Sequence, residues 1–301
     1  MRADDNSEAA AADNCCASCG IAELDDIKLK PCDGCDLARY CSDDCLANHR
    51  SDHEPACNER AAALHDEILF KQPESSHLGD CPICFLPLPI DRGKSVLQSC
   101  CSKVICKGCS HAHKRLRRRQ EKSRPTCLFC RHTIPETDEV IKENLMKRVA
   151  ANDPAALQHI GFWYFDEGDY VGAMKYDKMA AELGNANAHY NLSIAYSMGQ
   201  GVEKDEKKQV YHLEQAAIAG HPDARYNLAW YEEKNGEIER AVKHWIIAAN
   251  LGDDESIQKL KKYYKHGFVS KEDFAAALRA NHAAVVAMKS PQREAAERAI
   301  E

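Results

Sequence analysis

The residues of this sequence that could do chemistry are concentrated in one stretch, because all 16 cysteines lie between Cys15 and Cys130. Most of them occur in pairs that are separated by two or three residues. At that spacing, thiolates of one tight turn or one helical turn reach the same ion. The acidic start of the chain has no apolar segment typical of a secretory signal, so we expect an intracellular protein, in the cytoplasm or nucleus. In such a reducing compartment, paired cysteines favour structural zinc over disulfides.

The first cysteine block offers eight candidate zinc ligands. Zinc takes thiolate and neutral imidazole in sets of four, so eight ligands indicate two tetrahedral sites. His53 is preferred to His49 because only His53 is separated by three residues from the last cysteine of the block, and His49 is expected on the surface. Cys15 is a spare thiol that could exchange with Cys16. The predicted ligands are Cys16, Cys19, Cys32, Cys35, Cys41, Cys45, His53 and Cys57.

Two segments of this block, Tyr40–Cys45 and His53–Cys57, resemble the second half of a MYND finger in residue type and spacing. The resemblance covers the block and implies interleaved zinc sites and the binding of short, often proline-rich peptides. One departure is that Arg50–Asp52 stands where the family usually has an aromatic residue, so we expect a different partner-facing surface. By the resemblance, Cys16, Cys19, Cys41 and Cys45 hold one ion, and Cys32, Cys35, His53 and Cys57 hold the other.

The second cysteine block also has eight candidate ligands, and the two blocks together use all but one of the cysteines. Its spacing resembles that of a RING finger, except that Lys103 stands where the family usually has a histidine. An ammonium cannot bind zinc, so we predict that Cys100 and Cys101 are both ligands, with His111 or His113 as the alternative fourth ligand. The resemblance implies one site of Cys81, Cys84, Cys106 and Cys109 and a second of Cys100, Cys101, Cys127 and Cys130.

A zinc ion with four protein ligands has no open position, so zinc in either block would be structural. The RING resemblance implies a ubiquitin-protein ligase that holds a ubiquitin-conjugating enzyme through Ile83, Leu128 and Arg131. The alternative is that Ile83 and Leu128 pack their loops and that Arg131 is solvated. The chain would then be a scaffold or adaptor without an enzymatic step, with a role in transcriptional regulation as one possibility.

A basic run follows Cys109, with seven Lys or Arg and one acid over residues 111–124. In a helix, its cations at 114, 115, 118, 119 and 122 would share one side. Such a side could bind phosphate or a nuclear import receptor, or it could simply be solvated. No aromatic residue interrupts the run and the chain carries a net charge of −7, so nucleic acid is a less favoured partner than protein.

The remaining sequence contains a repeat and most of the large aromatic residues. Alanine pairs at 180, 216 and 248 are each followed by a glycine, at 184, 220 and 252, which indicates helix ends at regular intervals. Helix starts are predicted at Asp153–Pro154, His221–Pro222 and Asp253–Asp254. The loop Gly199–Asp205 and its flanks resemble Sel1-like repeats over about residues 152–266. A phosphate-binding loop at Gly199 is not supported, because no Gly-Lys-Ser/Thr follows.

We therefore predict a mainly α protein in which two small zinc-stabilised cross-brace fingers precede an α-solenoid of helical-hairpin repeats. It should bind about four zinc ions and recognise proteins or peptides through its MYND-like and solenoid surfaces, with no membrane contact. The predicted segments are a disordered tail (1–14), a MYND-like finger (15–57), a helix and flexible linker (58–76), a RING-like finger (77–135), Sel1-like repeats (136–288) that end in a closing helix (267–288), and a frayed C-terminus (289–301).

Overall fold

The computed structural model describes residues 15–23, 27–119 and 126–299, with side-chain placement omitted at 117–119. The chain divides between Lys71 and Gln72 into two compact units. The described residues form twelve helices and four short strands, so the prediction of a mainly α protein is confirmed. None of these helices is both long and apolar enough to cross a membrane. The predicted tail at 1–14 and the part of the basic run at 120–124 lie outside the described residues.

The first unit has very little conventional core. Its two-residue strands β1 (Lys30–Pro31) and β2 (Arg39–Tyr40) form an antiparallel pair, and helix α1 (Asp43–Leu69) follows. Half of the buried residues in its core are cysteines. A core of this size buries too little apolar surface to offset the loss of chain entropy, so another source of stability is required. The buried residues are Cys16, Leu29, Cys32, Cys35, Ala38 and Tyr40.

Helix α1 corrects one prediction, because the short helix expected within 58–76 begins at Asp43. The Ser42 side chain accepts a hydrogen bond from the Cys45 amide at 3.2 Å, and two aspartates occupy the first turn, where they complement the helix dipole. Pro55 lies inside the helix and lacks an amide donor. The sequence interpretation placed the helix start after this proline, whereas the cap and first turn favour the earlier start.

The second unit begins with a module built around the second cysteine block. Strands β3 (Ser95–Gln98) and β4 (Lys103–Cys106) form an antiparallel hairpin after a short 3-10 turn at Arg92–Lys94. Helix α2 (Lys107–Arg119) follows directly, so the predicted basic run begins on a helix. The module buries Leu88 and Ile105 together with three cysteines. This core is again small and rich in sulfur.

The rest of the second unit is a series of antiparallel helices, which confirms the predicted α-solenoid. The helices α4 to α9 pack most closely as the consecutive pairs α4 and α5, α6 and α7, and α8 and α9. In chain order, the helices are α3 (Asp138–Val149), α4 (Pro154–Asp166), α5 (Tyr170–Glu182), α6 (Ala186–Met198), α7 (Glu206–Ile218), α8 (Pro222–Lys234), α9 (Ile238–Asn250), α10 (Asp254–Lys265), α11 (Lys271–Ala287) and α12 (Pro291–Glu297).

Recurring residues explain the repeated geometry. The alanine pairs at 180, 216 and 248 are all buried, because small side chains let neighbouring helices approach closely. The glycines that follow them have φ between 78° and 100°, the left-handed conformation that ends a helix. At the predicted starts of α4, α8 and α10, a side chain accepts a hydrogen bond from an amide of the first turn. These capping residues are Asp153, His221 and Asp253.

The segment before the second cysteine module lies on the solenoid, because the Gln72 side-chain oxygen accepts from Asn250 Nδ2 at 2.9 Å, so its interpretation as a flexible linker up to residue 76 is corrected. The His77 amide donates to the Gly220 carbonyl at 3.0 Å, and the His77 ring stacks on His221 with 4.2 Å between centroids. The Asn187 side-chain oxygen accepts from His77 Nε2 at 3.1 Å and from Arg92 at 2.6 Å. The linker was predicted from its local composition, whereas its order comes from contacts with repeats far along the chain.

The C-terminal end is also more ordered than predicted. The predicted closing helix is confirmed as α11, but the segment at 289–301, predicted to be frayed, contains α12. Ser290 caps α12 by accepting from the Arg293 amide, and the helix packs against α2 of the cysteine module. Arg293 and Ala296 are buried in this contact. A helix of seven residues is not stable alone. Tertiary packing supplies the stability that this helix lacks.

The contact of His77 with the solenoid predicts a loss of stability in acid. Burial lowers the pKa of His77 to about 4, below the value of about 6.5 for an unfolded histidine. As the pH falls below about 6.5 the unfolded chain therefore takes up a proton that the folded chain does not, which costs roughly 2 kcal/mol at pH 5. When the pH is lowered from 7 to 5, we expect the melting temperature to fall less in His77→Gln than in the unmodified chain, as measured by tryptophan fluorescence.

The matched control is His266→Gln, which replaces an exposed histidine of the solenoid. This variant should retain the full pH dependence, because an exposed ring loses little hydration on folding. Equal losses of melting temperature in the unmodified chain and His77→Gln would contradict the assignment.

Candidate metal centres

The structure brings the sixteen predicted ligands together in four quartets. Within each quartet the ligand atoms all lie within 4.8 Å of one another. Tetrahedral zinc with bonds of about 2.3 Å to sulfur separates its sulfurs by about 3.8 Å, so the observed clusters are of the right size. The quartets are Cys16, Cys19, Cys41 and Cys45; Cys32, Cys35, His53 and Cys57; Cys81, Cys84, Cys106 and Cys109; and Cys100, Cys101, Cys127 and Cys130.

The two quartets of the first unit interleave along the chain, as a cross-brace requires. In one, Cys41 Sγ lies 3.6 Å from Cys19 Sγ and also 3.6 Å from Cys45 Sγ. In the other, His53 Nε2 lies 3.2 Å from Cys35 Sγ. Since His53 and Cys57 are one turn apart on α1, they face the same side of the helix. The helix therefore supplies ligands to both quartets, because Cys45 also lies in its first turn.

His49 has a role that the sequence interpretation missed. It was predicted to lie on the surface, but it is half-buried and its Nδ1 lies 3.1 Å from the Tyr40 hydroxyl. Its ring also stacks on the ring of His53, with 5.8 Å between the centroids. His49 therefore contacts both the ligating imidazole and Tyr40 of β2. The signal was its position one helical turn before His53, which places both rings on one side of α1.

In the second unit, the structure favours the all-cysteine arrangement. Cys101 Sγ lies 3.7 Å from Cys127 Sγ, and Cys100 Sγ lies 3.2 Å from Cys130 Sγ. The alternative ligand His113 instead places its Nε2 3.3 Å from the Thr126 carbonyl oxygen. His111 is likewise in no quartet of the described residues. The adjacent cysteines of the β3–β4 turn thus take the place of the histidine ligand that the RING resemblance lacks at Lys103.

A shared backbone motif holds the ligand pairs. In four pairs, the residue after the second cysteine donates its amide to the carbonyl of the first cysteine, over 2.8–3.1 Å, and has φ between 56° and 75°. This left-handed conformation costs roughly 1–2 kcal/mol for a residue other than glycine. Ser102, which follows the contracted pair, has φ 55° as well. The four residues are Gly20, Asp36, Phe85 and Arg131.

The crowded sulfurs change one another's ionisation. Burial disfavours the thiolate of Cys16, but amides led by that of Cys19 donate to its sulfur and bring its pKa down to about 6. Hydrogen bonds with neighbouring sulfurs, Cys19 first, raise the pKa of Cys41 to about 12. Burial and then Cys32 do the same for Cys57, whose pKa also rises to about 12. A divalent cation would displace these protons, so metal binding should release protons and weaken in acid.

The donor set therefore fits zinc. Thiolate and imidazole are the ligands that zinc prefers, and four ligands close each site, so the ion would hold the chain in place without reacting. A cation at each quartet would also offset the strain of the left-handed residues. The burial of cysteines in both small cores indicates that metal binding and folding are linked.

The residues predicted to contact a conjugating enzyme are exposed on the ligand loops of the second module. Ile83 is 38% exposed and Leu128 is 37% exposed, so neither is fully packed into its loop. Arg131 is exposed too. Sequence reasoning missed Phe85, which is 77% exposed and directly follows the first ligand pair. An aromatic residue next to a cysteine pair was the signal.

Two family models match parts of the chain. The MYND finger model matches residues 16–57, and the Sel1 repeat model matches residues 186–221 and 222–253. The chain contains a MYND finger and Sel1 repeats. The first match contains both quartets of the first unit, and the second contains α6 to α9 of the solenoid. These modules make the chain a zinc-binding protein of the kind that binds other proteins.

Known proteins are similar to parts of this chain. DAP3-binding cell death enhancer 1 from Mus musculus is 24% identical over an alignment of 167 positions, which covers 42% of this chain and 33% of that protein. The chain thus spans about a third of that relative. A Sel1 repeat protein from Oxalobacter formigenes matches 50% of this chain and 65% of its own with 22% identity and a TM-score of 0.44. Protein c5321 of uropathogenic Escherichia coli matches 48% of this chain and 32% of its own with 29% identity and a TM-score of 0.41.

The fourth quartet predicts which residues zinc needs. We expect native mass spectrometry to find four zinc ions in the unmodified chain and three in Cys100→Ser, because a three-ligand site binds zinc more weakly. His113→Ala should keep four, since its ring faces Thr126. Cys15→Ser should also keep four, because Cys15 is in no quartet. Loss of a zinc ion in His113→Ala, or four retained in Cys100→Ser, would contradict this assignment.

Proposed function

We propose that this chain is an adaptor that binds a peptide segment of a partner protein in a groove of its solenoid. The observation that supports this proposal is an apolar groove with a volume of about 200 Å³ on helices α4, α5 and α6. Apolar pockets with a few polar groups are the usual form of a binding site. The mouse relative is named for binding a protein, which agrees with this role.

Aromatic rings form the walls of this groove. Phe162 is 49% exposed, Phe165 is 43% exposed and Tyr170 is 37% exposed, although all are large and apolar. The rings of Phe165 and Tyr170 meet edge to face, with 5.3 Å between the centroids. Exposed aromatic residues that lie together mark interaction sites, because their burial contributes strongly to binding. The occupant that fits is an apolar side chain of an extended peptide.

A buried carboxyl group lines the same groove. Asp177 is only 5% exposed, and Asn191 donates to its Oδ1 at 3.2 Å. Burial raises the pKa of Asp177 to about 7, although the Asn191 hydrogen bond and the charge of Arg92 oppose the rise. An apolar occupant would remove still more water from this carboxyl. Binding should therefore favour the protonated form.

A second candidate function is that of a RING-type ubiquitin ligase. It is favoured by the exposed Ile83, Leu128 and Arg131 on the ligand loops of an interleaved zinc module. A ligase of this kind would hold a conjugating enzyme, while the MYND finger and solenoid select substrates. The packing of α12 on α2 favours the adaptor instead, because part of the surface of this module is already covered by the chain itself.

The groove predicts how peptide binding responds to mutation and pH. Peptides are selected from a random library on the full chain, and their affinities are then measured by calorimetry. Phe162→Ala should weaken binding at least tenfold, because it removes one wall of the groove. Affinity should fall as the pH rises from 6 to 8, because Asp177 loses its proton over this range whereas the bound form favours the protonated carboxyl, and this dependence should vanish in Asp177→Asn.

Two matched controls accompany this test. Trp230→Ala removes an aromatic residue that is 50% exposed elsewhere on the solenoid, and Glu182→Gln removes an exposed carboxyl of α5. Both should bind like the unmodified chain. Selected peptides that bind Phe162→Ala as well as the unmodified chain would overturn the groove as the binding site.

The ligase candidate predicts activity in a defined assay. The full chain is incubated with ubiquitin, activating enzyme and a panel of conjugating enzymes, and ubiquitin chains are followed by immunoblot. Ile83→Ala and Arg131→Ala should each reduce chain formation at least tenfold, because a few contact residues carry most of the binding energy of an interface. Phe268→Ala, an exposed residue of the solenoid, serves as the control. If no conjugating enzyme of the panel yields ubiquitin chains, the ligase candidate is overturned and only the adaptor function remains.

A further inference from the structure

The C-terminal helix α12 reaches the first quartet of the second cysteine module through one buried arginine. Arg293 is only 6% exposed. Its Nη1 donates to the Pro87 carbonyl at 2.6 Å and to the Met288 carbonyl at 2.7 Å. Its Nη2 donates to the Leu86 carbonyl at 3.1 Å and to Cys84 Sγ at 3.4 Å. A single guanidinium therefore contacts a predicted zinc ligand and the loop that carries it.

The charge of this guanidinium suits the quartet beside it. Zinc with two positive charges and four thiolates with four negative charges leave a net charge of −2, which is costly to bury without a counter-ion. Arginine keeps its proton at any pH that a folded protein meets, so its charge is permanent. Hydrogen bonds to a ligand sulfur also fix its direction. Arg293 supplies both the counter-charge and the hydrogen bond from more than two hundred residues away in sequence.

The carbonyls that Arg293 binds belong to the loop of the first ligand pair. Asp80 and Pro87 form the β-bridge that closes this loop, and Leu86 accepts from the Cys81 amide at 2.9 Å. Nη1 and Nη2 thus donate four hydrogen bonds. Three go to the loop, to two carbonyls and one sulfur, and one goes to a carbonyl of the connection between α11 and α12. A lysine could not reproduce this arrangement, because its ammonium is a single point of donation.

The approach of α12 to the module requires a glycine in α2. A Cβ atom at Gly108 would lie 2.8 Å from the Arg293 amide nitrogen and 2.9 Å from its Cα. Any larger residue would therefore push α12 away from the quartet. Glycine weakens a helix, so its presence between two ligands of the quartet is explained by this contact.

We propose that Arg293 is a positioning residue for zinc at Cys81, Cys84, Cys106 and Cys109, and that α12 holds the metal in this site. The inference rests on zinc occupying the second module. Partners of metal ligands typically change metal affinity by about 10- to 100-fold. Loss of Arg293 should therefore loosen one zinc ion and leave the other three unaffected.

The test follows zinc transfer from the full chain to a chromogenic chelator over time. In Arg293→Gln, one zinc ion of four should transfer at least tenfold faster than in the unmodified chain. Alkylation with N-ethylmaleimide, read by mass spectrometry, identifies the site. Labelling should rise at Cys81, Cys84, Cys106 and Cys109 only. The control is Arg279→Gln, an exposed arginine of α11, which should match the unmodified chain.

Two further variants separate charge from docking. Gly108→Ala keeps Arg293 and every ligand, and alanine favours the helix, so faster zinc transfer in this variant reports the displacement of α12 alone. Arg293→Lys keeps the charge but not the set of hydrogen bonds, so its rate should be intermediate. These variants also carry the test if Arg293→Gln does not fold.

The results of this experiment separate the inference about Arg293 from the zinc occupancy of the second module. Equal transfer rates in Arg293→Gln and Arg279→Gln, or faster transfer spread over all four ions, would overturn the inference about Arg293. Two zinc ions in the unmodified chain would instead overturn zinc occupancy of the second module. The experiment measures zinc transfer and cysteine labelling only, so the inference about Arg293 does not depend on whether the chain is an adaptor or a ubiquitin ligase.

Discussion

Coordination of metal by interleaved ligand pairs is the constraint on which the front of this protein depends. Both cysteine modules have small cores in which cysteine replaces the usual apolar residues. Hydrophobic burial on this scale does not offset the entropy of ordering loops and two-residue strands. Four ligands on one ion connect segments that lie tens of residues apart, which supplies the missing free energy. The left-handed residues after the ligand pairs are tolerated because the ligands fix the turn.

The second module depends on the solenoid as well as on metal. His77 stacks on His221 at one end of the module, and Arg293 binds its first ligand loop from the C-terminal helix. Long-range contacts of this kind turn a finger and a stack of helices into one compact unit. A module held in this way presents the exposed Ile83 and Leu128 in a fixed setting.

The individual zinc ligands could be predicted from sequence because zinc ligands obey short-range rules. A closely spaced cysteine pair indicates the tight turn that holds it, and a histidine separated by three residues from a cysteine indicates one turn of a helix. The helix starts of the solenoid were predictable for the same reason, since Asp153 and Asp253 cap their helices through the next few residues. Signals of this kind are contained in windows of a few residues, and the cross-brace pairing came from the family resemblance.

The sequence by itself determined which residues could bind metal, where several helices of the solenoid begin and which class of fold results. The start of α1 at Asp43 and the contact of His49 with His53 follow local signals that the sequence interpretation missed. Only the tertiary structure decided that residues 72–77 are ordered on the solenoid and that α12 exists. The physical reason is distance along the chain. Capping and ligand spacing act over a few residues, whereas the order of a seven-residue helix arises from contacts with residues that no local pattern connects.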